Sequence, residues 1–305
     1  MTGKKRTSSK KFMSSNIIYH LMILPGIIFL LIFNYAPMFG LIMAFQDYVP
    51  ARGLFGSEFV GLHHFSYMFS LPTIGRVFEN TIIIAGGKII FVTLLSILFA
   101  ILLNEIRVRW FKKSVQTLVY LPNFLSWVVL ASVVVNMFNL DGSVNQILES
   151  FGMGPFNFLG SNQLFRPLII GTDVWKSFGF NSIVYLAAIT SIDPGLHEAA
   201  SIDGANWFRR IWHVTLPGML PIILLLFILN LPNILDGGFD QIYNLYSPMV
   251  YQSGDIIDTY VYRVGLMGRD YSFGTAVGLF KSIIGLVLIL GANATAKRFT
   301  ERQLF

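Results

Sequence analysis

The chain is 305 residues long, 54% hydrophobic, 15% aromatic and only 12% charged, with a mean hydropathy of +0.63. An average soluble domain is about 25% charged, so an ordinary cytosolic enzyme, a disordered chain and a nucleic-acid binder are excluded. The absence of cysteine removes disulfides and thiol chemistry, and the five histidines are scattered without metal-ligand spacing.

Six apolar runs follow in chain order, each near the roughly 20 residues a helix needs to cross about 30 Å of hydrocarbon. They cover residues 17–45, 81–103, 118–138, 167–189, 218–235 and 275–296. Their continuous apolarity predicts helices rather than the alternating strands of a barrel, hence an all-α polytopic membrane protein. The first run follows a basic prefix, Lys4, Lys5, Arg6, Lys10 and Lys11. It is too long for a signal peptide and lacks a small-residue cleavage site, so it reads as a retained span behind a cytoplasmic tail at 1–16. Pro25 and Pro37 within it predict a tilted helix with a distorted end.

With the N-terminus inside, the inner segments hold that prefix, then Arg107, Arg109, Lys112, Lys113, Arg209, Arg210, Lys297, Arg298 and Arg302. Those are 14 of the 22 basic residues. Arg52, Arg76, Arg166, Arg263 and Arg269 alone fall in the outer loops 46–80, 139–166 and 236–274. Both termini are therefore expected in the cytoplasm, and the net charge of +6 needs no nucleic acid. Residues 17–305 read as a single transmembrane domain.

Several ionisable groups fall inside the spans: Lys88, Asp173, Lys176 and Lys281, with Asp236 at the end of the fifth. Each costs at least about 2.5–3.5 kcal/mol at the bilayer centre and so is expected to face protein or water. Asp173 and Lys176, three residues apart, share a helical face and are candidates to pair. Lys88 falls about 10 Å from the outer end of its span. Such charges either fix helix register or line a hydrated pathway. For a hydrated cavity holding a polar ligand, Asn136, Trp175, Asn181, Tyr185, Asn230 and Asn233 supply amides and aromatic faces. The lysine excess predicts acidic cargo if all three lysines face one cavity, unless other chains bring compensating carboxylates.

The inner loop 191–217 differs from the rest. Asp193 before Pro194 reads as a helix cap, Gly204 as the end of that helix, and 205–214 as a second helix before Pro217. The pair Ala199-Ala200 admits a close partner surface, and Trp207, Phe208 and Trp212 supply anchors. A helix lying on lipid headgroups is the alternative. The pattern Glu198-Ala-Ala-x3-Asp203-Gly204-Ala205, followed by Val214-Thr-Leu-Pro217, resembles the EAA motif of permease subunits of binding-protein-dependent ABC importers. The stretches 37–48, 120–127, 255–265 and 273–282 are similar to the complex-oligosaccharide branch, which includes alginate and rhamnogalacturonan-oligosaccharide importers and serves acidic and neutral glycans alike.

The resemblance implies a type I importer permease fold in which Glu198, Ala199, Ala200, Asp203, Gly204, Ala205, Phe208 and Pro217 couple the spans to an ATPase. It also implies a second homologous permease, two ATPase subunits that bind ATP and magnesium, an extracytoplasmic solute-binding protein and an oligosaccharide substrate. No cofactor is expected on this chain. The nearest phosphate-loop candidate, Gly86-Gly87-Lys88, lacks the upstream glycine. The competing function is a secondary transporter driven by an ion gradient, with broken helices and mid-membrane carboxylates. A membrane-embedded enzyme is a distant third, since no nucleophile–base or metal constellation appears.

Overall fold

The computed structural model describes residues 9–300, with side chains over 17–294. Residues 1–8 of the expected tail 1–16 lie outside the described ones, as do the side chains of 9–16, Lys297 and Arg298, and the whole of Arg302. Helix α1 (Ser9–Leu30) passes through a π turn at Leu31–Tyr35 into a 3-10 segment at Ala36–Phe45. Pro37 lacks an N–H and crowds the carbonyl four residues back, and the chain widens ahead of it, with the Ala36 N–H bonded to Leu31 O. The distorted end expected from the proline is present.

A short antiparallel pair, β1 (Gln46–Asp47) and β2 (Glu58–Phe59), flanks the one-turn helix α2 (Gly53–Gly56). Helix α3 (His63–Ser70) then leads into α4 (Pro72–Glu105). This helix begins with a proline in its first turn, well before the expected residue 81. Lys88 consequently lies about 24 Å along it rather than 10 Å.

The expected third span is not one helix. It divides into α5 (Arg109–Tyr120), a 3-10 turn at Leu121–Phe124 and α6 (Trp127–Phe138). Pro122 opens the 3-10 turn, and Ser126 starts a new helix by accepting the Val129 N–H at 3.4 Å. Helix α7 (Ser143–Ser150) and the long α8 (Phe165–Thr190) follow.

Next come α9 (Pro194–Ile202), α10 (Trp207–Arg210) and α11 (Leu216–Asn230). The second helix expected at 205–214 is not separate. A π turn at Ile211–Thr215, just before Pro217, runs α10 into α11, repeating the device at Pro37. Short helices α12 (Phe239–Leu245), α13 (Tyr251–Gly254) and α14 (Ile257–Val261) precede the final α15 (Tyr271–Thr300).

Among the described residues, five stretches are long and apolar enough to cross a membrane: Tyr19–Phe45, Pro72–Glu105, Trp127–Ser150, Trp207–Leu235 and Tyr271–Ala294. Helix α8, the expected fourth span, carries Arg166, Asp173 and Lys176 and is not among them. At 26 residues it is nonetheless about 39 Å long. It packs along α4, and three apolar clusters surround that pair. Ile84, Ala131, Phe165, Ile169 and Ile242 join α4, α6, α8 and α12 at one end. Ala100, Ile101, Tyr185, Ala188 and Met219 join α4, α8 and α11 at the other. Met68, Val77, Tyr260, Phe273 and Val277 join α3, α4, α14 and α15. Leu94 and Leu98 on α4 and Leu286 and Leu290 on α15 stay exposed, which costs nothing against lipid tails.

Gly179 is where α5 touches α8. A Cβ there would stand 2.5 Å from both the Cγ1 and the carbonyl oxygen of Val119. Since a backbone carbonyl has little freedom to yield, Gly179→Val is expected to destabilise the chain by about 1–3 kcal/mol. Thermal melting of the detergent-purified protein measures this, and an unchanged Tm refutes the close approach.

Candidate functional site

A polar cavity of about 220 Å³ lies between α4, α8 and α11. Lys88, Thr93, Asp173, Ser177, Asn181, Tyr185 and Asn230 supply its polar and aromatic lining. Five of the eleven residues expected on the substrate pathway thus meet there: Lys88, Asp173, Asn181, Tyr185 and Asn230. Thr93 and Ser177 were missed, because small hydroxyl residues in an apolar helix give no periodic signal.

Lys88 governs one end of the cavity. Its ammonium donates to Gly237 O at 2.7 Å and to Gln241 Oε1 at 2.5 Å, and lies 3.7 Å from Asp173 Oδ1. Gln241, fully buried, in turn donates to Ile169 O and the Thr172 hydroxyl at 2.8 and 2.9 Å. One ammonium and one amide therefore tie α12 to both α4 and α8. Gly238 adopts φ 85°, and a Cβ there would meet the Lys88 ammonium at 2.7 Å. Gln241 also escaped the sequence reading, since a glutamine in a loop looks solvated until its buried partners are known.

The other expected pathway residues go elsewhere. Asp173 pairs with Lys88, not with Lys176. Lys176 instead donates to the carbonyls of Asn123 and Leu125 at 3.1 and 2.7 Å, and its ammonium stands 5.5 Å from the Trp127 ring. Those carbonyls are freed where the α5–α6 helix breaks, and the lysine satisfies them. Lys281 is held by both oxygens of Asp258, at 2.6 and 2.8 Å. The three lysines do not share one cavity, and the expected net positive field is not built by them. Trp175 lines a separate apolar cavity of about 510 Å³, and Asn136 is exposed on α6. Asn233 donates to Asn230 Oδ1 at 3.4 Å, while Asp236 is exposed and accepts the Gly238 N–H at 3.0 Å.

At the opposite end, the 191–217 loop forms a compact helical hairpin. Asp193 Oδ1 accepts the Gly195 N–H at 2.9 Å, as expected of the cap. Helix α9 ends with two bonds, Ala205 N–H to Ala200 O at 2.9 Å and Gly204 N–H to Ser201 O at 3.2 Å. That pair is a Schellman ending, and it needs the left-handed φ of 76° found at Gly204. Asn206 caps α10, and Arg210 Nη1 reaches back to the Ser201 hydroxyl at 3.1 Å.

Glu198, Ala199, Asp203, Gly204, Phe208 and Pro217 are exposed, and Ala200 and Ala205 are half-buried. Trp207, expected as an outward anchor, packs instead against the Tyr185–Met219 cluster. The outward apolar residues are Phe208, Trp212, Leu196 and Ile202, the last 86% exposed. Leu196 and Ile202 were not singled out from sequence, since on a nine-residue helix apolar side chains read as packing.

The profile of the binding-protein-dependent transport system inner membrane components matches residues 96–303. The chain belongs to this family. It is 42% identical over 303 residues to the polygalacturonan/rhamnogalacturonan transport system permease protein YteP of Bacillus subtilis strain 168, covering 99% of this chain and 94% of that one. Protein LplB of the same strain is 40% identical over 94% of this chain and 90% of its own. The crystal structure of a bacterial ABC transporter importing the acidic polysaccharide alginate contains a chain that superposes with a TM-score of 0.85 at 40% identity. The match covers 95% of this chain and 98% of that one. The permease subunit fold of this family therefore organises the cavity and the 191–217 hairpin.

Proposed function

We propose that this chain is one of two transmembrane subunits of an ATP-driven importer carrying uronate-containing oligosaccharides across a bacterial cytoplasmic membrane. The near full-length similarity to a polygalacturonan/rhamnogalacturonan permease carries this reading. A second structure of a bacterial alginate ABC transporter, superposing with a TM-score of 0.86 at 39% identity over 96% of this chain and 99% of that one, was solved in complex with an alginate pentasaccharide-bound periplasmic protein. That supports an extracytoplasmic binding protein as partner. A second permease and two ATPase subunits complete the assembly, and ATP is hydrolysed on those separate chains.

Six crossings fit the geometry, with α8 as the sixth. Its charges are absorbed by α4, α13 and the broken span, so its low apolarity does not bar it from the bilayer. The cation bias supports an inside N- and C-terminus, which puts the α12 end outside and the α9–α10 hairpin in the cytoplasm. Glu198, the exposed small residues beside it, and Phe208 then face the ATPase, whose closure on ATP rocks the spans and opens the cavity to alternate sides. The Lys88–Gln241 knot closes the cavity outward, and Asn181, Tyr185 and Asn230 offer amide and hydroxyl groups to a sugar below it.

Uptake into proteoliposomes containing the full complex tests the substrate class. Oligogalacturonates are expected to outcompete maltodextrins of equal length, and a preference for the neutral series refutes the acidic reading. Failure of an ATPase subunit to co-purify refutes the class of machine. Glu198 makes no hydrogen bond or ion pair among the described residues, so its carboxylate is free for a partner. Glu198→Ala is expected to weaken ATPase retention about tenfold in a pull-down, the size of a charge-assisted contact. Unchanged retention means that the carboxylate faces water or headgroups instead.

A further inference from the structure

The outer end carries an aromatic surface that neither the cavity nor the coupling hairpin uses. On α12, Phe239 and Tyr243 lie four residues apart and stack, with ring centroids 5.2 Å apart and planes at 16°. Tyr262 stands against both, at 5.5 and 5.0 Å, and its hydroxyl lies 3.4 Å from that of Tyr243. Tyr246 continues the row at 6.3 Å from Tyr243, and Tyr251 lies 5.2 Å beyond Tyr246. The row ends at Arg263, whose guanidinium sits 4.3 Å from the Tyr251 ring and is neutralised by Asp255.

This surface is not the core of the helix. The buried side of α12 is made by Gln241, Ile242 and Leu245, while Tyr243 is 41% exposed. Nor is it suited to lipid, because Asp236, Asp240 and Asn244 flank it in exposed positions and two of its rings present paired hydroxyls. Burial pushes the Tyr246 hydroxyl up to about 12, so it stays a neutral donor that does not repel a carboxylate. Phe239 begins two residues after Gly237, whose carbonyl holds Lys88. The row therefore begins next to the segment that holds Lys88 at the end of the polar cavity.

We propose that Phe239, Tyr243, Tyr262 and Tyr246 form a stacking platform that receives successive pyranose rings of an oligosaccharide and aligns the chain with the Lys88 mouth. Sugar faces are apolar on one side and ringed by hydroxyls, which matches rings carrying hydroxyls at their edges. Rings spaced 5.0–6.3 Å apart contact more than one sugar unit at once, so the platform favours longer chains. The platform rests on the oligosaccharide reading above but not on the acidity of the cargo.

The test uses the full complex in proteoliposomes with its loaded binding protein, and di- and tetrasaccharides of both the galacturonate and maltodextrin series. Tyr243→Ala and Tyr262→Leu are expected to lower tetrasaccharide uptake about five- to tenfold, the size of one or two stacking contacts. Disaccharide uptake stays within about twofold, binding-protein-stimulated ATPase activity is unchanged, and Tyr243→Phe, which keeps the ring face and loses only the edge hydroxyl, retains most of the tetrasaccharide uptake. The length ratio is read in whichever sugar series the wild type carries, so failure of the acidic reading leaves it measurable. Equal loss at both lengths with loss of ATPase stimulation means that the surface docks the binding protein, and overturns the platform. Loss of the second permease on purification means a subunit interface and overturns it equally, as does unchanged tetrasaccharide uptake or a wild type that carries neither series.

Discussion

Lys88→Met is expected to cut uptake at least tenfold and to lower the Tm of the purified complex. Its ammonium is buried, and removing it strands the Asp173 carboxylate together with Gly237 O and Gln241 Oε1. Breaking a buried pair from one side costs about 3–5 kcal/mol, because the surviving charge keeps its desolvation penalty. The double change Lys88→Met with Asp173→Leu removes both charges and is expected to regain much of the lost Tm. Uptake should not return with it, since α12 is then no longer tied to α4 at the mouth of the cavity. Thermal melting of single and double variants separates the two effects. Equal Tm losses in both would mean that the ion pair contributes nothing and that the packing of the lysine stem does.

Gly204→Val is expected to uncouple the complex while leaving insertion and abundance intact. No atom lies within 4 Å of a Cβ built at Gly204, so crowding is not the cause. The backbone is. A left-handed residue other than glycine costs about 1–2 kcal/mol, and a β-branched one tolerates φ of 76° least well. Either the Schellman ending opens or the strain stays in the hairpin, and in both cases Glu198 and Phe208 change their relative aim. The expected readout is a fall of tenfold or more in sugar carried per ATP hydrolysed. Gly204→Asn, whose side chain suits the left-handed region, should retain most of the coupling. Wild-type coupling in the valine variant would show that the hairpin transmits nothing through this turn.

The periodicity and length of apolar runs were enough to establish a helical membrane protein and the neighbourhood of its long helices, though not their ends or breaks. They report only what lipid demands of a segment, namely length and apolarity. The 191–217 hairpin was also legible, because caps, a turn glycine and small residues at fixed spacing are local requirements, and Asp193, Asn206 and Gly204 meet them within a few residues. Whether a run is one helix or two depends on competition between Pro122, Ser126 and the neighbouring α8, and apolarity does not register it. Charge pairing was illegible for the same reason. The i, i+3 rule joined Asp173 to Lys176, but the structure gave Asp173 to Lys88, 85 positions away, and Lys176 to carbonyls freed by the helix break. Local spacing proposes partners along one helix; burial between helices decides among them, because a charge in a low-dielectric core takes the partner that satisfies it best, wherever the chain brings that partner from.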